Sequence, residues 1–274
     1  MYISSLKSYE LTKIRDNKNF EFSNILDMLK RIIIPIIILS YFLVSCESNS
    51  KGVAKEYDTR AVAVLDSLSS VIGNLRSCSF SVETEFVDTN GEDDKMLFIE
   101  HDIYMRGPDK MYIHSDGDRG EKGYWYNGNK LAFLNFDKSI FDTIRAPNNI
   151  ILAIDFVHNE YGIDFPAADF FYPTLTDDII ENYNKIYYIG DVKVNDVECV
   201  AVSATNEKES LYIWVEKNTY LPYRMVIAQK EELSKVYEST FSNWKVNPHL
   251  PDVLFQFTPK STSKRVKLIS KKQK

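Results

Sequence analysis

NNIILAIDFVHNEYGIDFPAADFFYPTLTDDIIEN, residues Asn148 to Asn182, is a helical block set between two long runs of strand-like sequence. Asn148 or Asn149 can cap a helix that carries Ile150, Ile151, Ile154, Val157 and Tyr161 along one side, and Gly162 stands where such a helix must end. Asp164 and Pro166 then predict a short helical restart, with Pro at an early position that tolerates it. Thr176 is read as the cap of a third helix, with Asp177 and Asp178 at the positive end of its dipole.

Outward from the block the period changes to two. Downstream, strands are predicted over Lys185–Val194, Val197–Ala204, Leu211–Glu216, Tyr223–Gln229, Lys235–Trp244 and Val253–Phe257, with Asn195-Asp196 and Asn206-Glu207 among their turns. Upstream, Phe80, Val82 and Phe86 alternate with Ser81, Glu83 and Glu85, and Asn90-Gly91 marks a hairpin. Further strands are predicted over Lys95–Met105, Lys110–Ser115, Gly123–Tyr126, Lys130–Asn135 and Ile140–Arg145. Asp58 to Leu75 carries Val64, Leu65, Leu68, Val71, Ile72 and Leu75 at helical spacing, which predicts an amphipathic helix on a sheet. Short loops imply antiparallel sequential neighbours. A sheet of about 11–12 strands must curl, because flat open sheets of that width are unusual. The expected fold is therefore mostly β (α+β): a strongly curved antiparallel sheet, an incomplete barrel, with helices over its concave face. Aromatic content of 13%, with few Gly and Pro, agrees with half-buried strands.

The two ends of the chain differ in chemistry. Lys30 and Arg31 precede the apolar run Ile32 to Val44, too short for a spanning helix of roughly 20 residues but suited to a signal peptide. Leu43-Val44-Ser45-Cys46 resembles the bacterial lipobox, so residues 28–45 are read as a lipoprotein signal peptide and Cys46 as the lipidated residue. Residues 46–57 then form a polar tether that holds the protein to a membrane on the extracytoplasmic side. Residues 1–27 are polar and set the cleavage site far from the start. Met28 is accordingly expected to be the initiator, and 1–27 untranslated or disordered. The domain proper spans 58–259, and Lys260, Lys264, Arg265, Lys267, Lys271, Lys272 and Lys274 make 260–274 a basic tail, read as solvated and disordered. A net charge of −6, with that tail as the one basic cluster, argues against a nucleic-acid surface.

The segment Tyr161-Gly162-Ile163-Asp164-Phe165-Pro166-Ala167-Ala168-Asp169-Phe170 resembles the central signature of a family of uncharacterised, predicted-periplasmic bacterial proteins. Flanking likenesses follow in order: Gly107-Pro108-Asp109-Lys110, Trp125-Tyr126-Asn127-Gly128, Val194 to Cys199, Leu221-Pro222-Tyr223-Arg224, Phe241-Ser242-Asn243-Trp244 and Phe257-Thr258-Pro259. That family is in turn similar to the outer-membrane lipoprotein carrier (Lol-type) superfamily. The resemblance implies an incomplete antiparallel barrel with helices in its mouth, enclosing an apolar cavity for acyl chains, and it implies fold more strongly than function.

Little in the sequence points to catalysis. His101, His114, His158 and His249 are scattered, without paired metal-ligand spacing or a nucleophile–base motif, and are read as structural. Asp116, Asp118 and Glu121 lack the spacing of a calcium loop and suit a hairpin turn. No metal, cofactor or catalytic residue is therefore expected. Cys78 and Cys199 are read as buried thiols, with a disulfide as the alternative. Ile151, Phe156, Phe165, Phe170 and Phe171 are the candidates for lining an apolar cavity, with completion of the core as the competing reading. Three functions are carried forward: a monomeric, lipid-anchored envelope protein that binds lipid or lipoprotein acyl chains for transport or sensing; an interaction or regulatory module for an envelope protein partner; and, ranked last, an enzyme.

Overall fold

The computed structural model describes residues 55–88, 94–231 and 236–271. The expected signal peptide, Cys46 and the expected tether as far as residue 54 lie outside them, as does the predicted turn at Asn90-Gly91. Thirteen strands form one sheet: β1 (Glu56–Tyr57), β2 (Ser77–Asp88), β3 (Lys95–Arg106), β4 (Lys110–Gly117), β5 (Lys122–Tyr126), β6 (Lys130–Asn135), β7 (Ile140–Arg145), β8 (Lys185–Val194), β9 (Val197–Thr205), β10 (Glu209–Glu216), β11 (Pro222–Gln229), β12 (Val236–Val246) and β13 (Lys264–Arg265). The helices are α1 (Thr59–Gly73), α2 (Ile150–Tyr161) and α3 (Leu175–Asn182), with a 3-10 turn at Ala168–Phe171.

The sheet is two meanders laid edge to edge. β12 pairs antiparallel with β2, Phe241 opposite Val82, so the order runs β1-β8-β9-β10-β11-β12-β2-β3-β4-β5-β6-β7-β13. β7 and β8, consecutive in the chain, thus stand near opposite edges. Laid flat, the ten steps between them would span about 48 Å. The connection must cross the whole face, which is why the helical block lies over the sheet rather than beside it. The sheet is curved but not closed into a barrel.

Local chemistry sets the helix ends. Asp58 accepts from the Arg60 N–H at 2.9 Å to open α1. Asn149 accepts from the Ile151 and Leu152 N–H groups to open α2. Gly162 closes α2 at φ 69° with its N–H on the His158 carbonyl, a left-handed geometry that costs glycine nothing. Asn195 and Asp196 both have positive φ in the tight β8–β9 turn, as a two-residue hairpin loop of this hand requires.

The core fills the concave side. Phe80, Val82, Ile103, Met111, Ile113, Val202, Leu211, Ile213, Met225 and Phe241 from the strands meet Val64, Leu65, Leu68 and Ile72 of α1, Ala153, Ile154 and Val157 of α2, and Ile179 of α3. α1 packs on β8, β9, α3 and the 3-10 turn.

Several readings change. α3 begins at Leu175 after Thr174, and Thr176 lies one position inside it, buried with its hydroxyl unpartnered. The turn after Asp164 begins at Ala168 and not at the proline, because Ala167 takes a left-handed φ of 59°. Val253–Phe257 is not a strand. Asp252–Phe255 is a 3-10 turn: Pro251 has no N–H to give a ladder, and Arg106 captures the Leu250 carbonyl and the Asp252 carboxylate. Phe255, buried, and Phe257 of this segment pack instead on the outer face of the sheet, while Val253 is exposed. There Phe257 meets Trp125 (5.0 Å between ring centroids) and Phe141 (5.4 Å), extending the row Tyr104, Tyr112, Trp125.

The tail from Lys260 is not disordered as far as Lys271. β13 pairs parallel with the β7 edge, whose unpaired backbone groups are the physical reason for docking. The Lys264 N–H donates to Ser139 O and the Val266 N–H to Phe141 O, each at 2.8 Å. The buried Asp142 takes Arg265 Nε and the Leu268 N–H, also at 2.8 Å. At the other edge Glu56 and Tyr57, expected in the tether, pair with Lys185 and Ile186 of β8.

Candidate functional site

The candidate site is the concave face where the helical block lies on the sheet. Of the five residues expected to line it, three come together with strand aromatics. Phe165 (4% exposed) meets Tyr124 edge-on at 5.3 Å; Phe170 (2% exposed) meets Phe241 edge-on at 5.3 Å; Phe171, half-buried, stacks on Phe80 at 5.8 Å. Phe156 is half-buried against Tyr161 at 6.0 Å, and Ile151 is half-buried on α2. Phe165 and Phe170 are thus core side chains, whereas Phe171, Phe156 and Ile151 keep accessible surface.

The strands contribute a partner set that the sequence reading did not single out. Phe80 stacks on Trp244 at 4.1 Å, and both lie within 6.4 Å of Phe241. Trp244 reaches this place through a bulge: the β12–β2 register shifts between Ser242 and Lys245, and Asn243 takes φ 57°. The indole N–H is satisfied by the Pro222 carbonyl at 3.2 Å. The signal available in sequence was the Ser-Asn pair before Trp244, since Asn tolerates left-handed backbone.

Several polar groups on this face are paired to one another. Tyr183, fully buried, donates to Glu209 Oε1 at 2.8 Å, and Gln229 donates to Glu209 Oε2 at 2.9 Å. Burial and the Glu209 charge push the Tyr183 phenol far above its ordinary range. Tyr172 donates to Asp155, and burial with that carboxylate raises its phenol too. His101 Nδ1 lies 2.7 Å from Ser115 Oγ, a contact that looks like half of a nucleophile–base pair. Burial first, then the Lys122 charge, lower the imidazole to about 4, so it is neutral at pH 7 and a poor proton acceptor for a serine. His114 and His158 pair with Glu121 and Asp164 on separate parts of the surface. Among the described residues no group of three His, Cys, Asp or Glu is placed to hold a metal.

Cys78 and Cys199 are both buried free thiols. β10, β11 and β12 stand between their strands, a separation of about 19 Å along the sheet that no disulfide bridges. Burial raises their thiols to about 12 and about 11.

These features define a class of protein: an open, curved antiparallel sheet whose concave side holds an aromatic interior beneath a helical layer. The chain belongs to the family described as predicted periplasmic protein (DUF2092), whose model matches residues 61–269. That span takes in the docked tail as far as Ile269. Comparison with curated proteins returns no match. Similar solved structures include an uncharacterized conserved protein from Thermus thermophilus (10% identity, 76% of this chain and 99% of that one, TM-score 0.45). Others are the lipoprotein LppX of Mycobacterium tuberculosis (13%, 69% and 98%, TM-score 0.45) and MucB in complex with MucA of Pseudomonas aeruginosa (12%, 73% and 61%, TM-score 0.41). A LolA superfamily protein from Nitrosomonas europaea is also similar (11%, 72% and 97%, TM-score 0.29). None of these four scores reaches 0.5, and function does not pass from fold to fold at such distance.

Proposed function

We propose that the protein is a lipid-anchored, extracytoplasmic envelope protein that binds an apolar ligand, a lipid or lipoprotein acyl chains, between its helical block and the concave face of the sheet, for transport or sensing. The observation that carries this reading is the forced crossing from β7 to β8. It lays the block over the sheet and sets Phe171 against Phe80, which in turn stacks on Trp244, with surface left accessible. Acyl chains suit such a site because burial contributes about 0.8 kcal/mol per CH₂ and needs no sharp polar constellation. Cys46 is proposed as the lipidated residue, on the strength of Leu43-Val44-Ser45-Cys46 after a charged and then apolar segment.

The test is native mass spectrometry of the full chain in lipid-preserving detergent, with displacement by a fluorescent fatty acid. One bound acyl ligand is expected, weakened by Phe171→Asp. A wild-type chain that binds neither native lipid nor the probe would refute the reading.

One observation favours a second reading, binding of a protein partner. Among the described residues β1 covers only Lys185 and Ile186 of this side of β8, leaving Tyr187 to Val194 as an edge with Ile189 half exposed. An extended segment can add there as a further strand. Peptide binding that protects the β8 amides from hydrogen exchange would support it.

A further inference from the structure

We infer that the docked C-terminal strap, together with the outer side of α2, is a surface for an anionic phospholipid bilayer. Residues 260–274 contain only basic and uncharged side chains, in a chain whose net charge is −6. The strap is fixed in place by β13, by Arg265 on Asp142, and by its grip on α2: Lys271 Nζ on the His158 carbonyl at 3.0 Å and Ser270 Oγ on Glu160 at 3.2 Å. A solvated basic tail would carry its charges on polar sequence. This one interleaves Lys264, Lys267 and Lys271 with Val266 (44% exposed) and Ile269 (58% exposed). α2, the helix it grips, presents Leu152 at 53% exposure.

Of the carboxylates in this region, Asp142 is ion-paired to Arg265 and also takes the Leu268 N–H, Asp164 is held by His158, and Glu160 accepts from the neutral Ser270 hydroxyl and keeps its charge, set against Lys264, Lys267 and Lys271 of the strap. Cations interleaved with exposed aliphatic residues match one partner best, headgroups of negative charge above an apolar layer. A nucleic acid would satisfy the lysines and leave Ile269 and Leu152 in water. An acidic protein surface meets the same objection unless it also offers an apolar hollow. The inference stands apart from the cavity reading, since it concerns the outside of the helical layer.

The test uses the full chain held in vesicles by its own N-terminal segment, with Ile269→Trp as reporter and bromine-labelled acyl chains as quencher. In vesicles of phosphatidylcholine with phosphatidylglycerol, the introduced tryptophan is expected to be quenched beyond the level set by the three native tryptophans. High salt should reverse this, and vesicles of phosphatidylcholine alone should not show it. Lys264→Gln, Lys267→Gln and Lys271→Gln together are expected to weaken the contact roughly a hundredfold, about fivefold for each charge near an anionic surface. Lys267→Gln alone, which touches no backbone pairing of β13, serves if the triple variant fails to fold. Quenching no greater than wild type, or equal quenching on the neutral vesicles, overturns the inference. So does stronger shielding of the introduced tryptophan from iodide by double-stranded DNA or by an acidic protein than by anionic vesicles. Failure of the cavity reading would look different, as loss of bound acyl ligand with this quenching intact.

Discussion

Replacing Arg265 by alanine should loosen the docking of the strap without touching the core. The guanidinium is about two-thirds exposed, whereas the Asp142 carboxylate it meets is almost wholly buried, at 65% and 3% side-chain exposure. An exposed ion pair contributes about 0–1 kcal/mol, and a hydrogen bond to a charged group about 1.5–3 kcal/mol when shielded from water. Arg265 has one end in each regime, and the Leu268 and Thr143 N–H groups remain on Asp142 after the substitution. The expected loss is therefore about 1–2 kcal/mol, lowering Tm by about 3–6 °C for a domain of this size.

The same free energy should raise the population of the undocked strap by a factor of about 5–30, read as faster trypsin cleavage between Lys260 and Lys271 under native conditions. The effect has a defined pH dependence. Burial alone would raise the Asp142 carboxyl, but the Leu268 N–H, Arg265 and the Thr143 N–H outweigh it and hold the group below 3.8. A depressed carboxylate contributes stability that is present above its unfolded value and is lost as pH falls through the folded one. The gap between wild type and Arg265→Ala should thus be full at pH 7 and shrink below pH 3.8. Unchanged cleavage and Tm at pH 7, or a gap that persists undiminished in acid, would refute the docking as described.

Further outcomes are expected elsewhere. Phe170→Ala should cost about 3–5 kcal/mol in urea unfolding, as a fully buried ring leaves a cavity, while Phe171→Ala should cost less and act mainly on acyl-probe affinity. Tyr183→Phe removes one of two side-chain donors to the buried Glu209 and should cost about 1.5–3 kcal/mol; a neutral result would mean water replaces the hydroxyl. Denatured protein never exposed to reductant should alkylate at both Cys78 and Cys199, and folded protein should react slowly because burial raises both thiols; a bridged peptide on mapping would contradict the strand order.

Much of the architecture was legible because strand and helix periods are local. Lys130–Asn135, Ile140–Arg145 and Lys185–Val194 coincide with their predicted limits, as alternation bounded by turn residues leaves little choice. Val253–Phe257 misled because alternation reports burial of one side of an extended segment and not the presence of a ladder partner. The outer aromatic row offered burial of its own. The tail misled in the opposite way: its composition is that of a solvated end, and only the exposed β7 edge with Asp142 beneath it gives the strap a reason to dock.

The sequence by itself determined most of the strands and helices, the caps that bound α2, the apolar block between two meanders and the paucity of catalytic motifs, because each is written in neighbours along the chain. Tertiary structure alone decided that β12 lies beside β2, that the block must therefore cross the concave face, and that Trp244 joins Phe80 and Phe171 beneath it. Those choices depend on which edges and faces remain unsatisfied once the local elements exist, a property of the assembled sheet that no window of sequence contains.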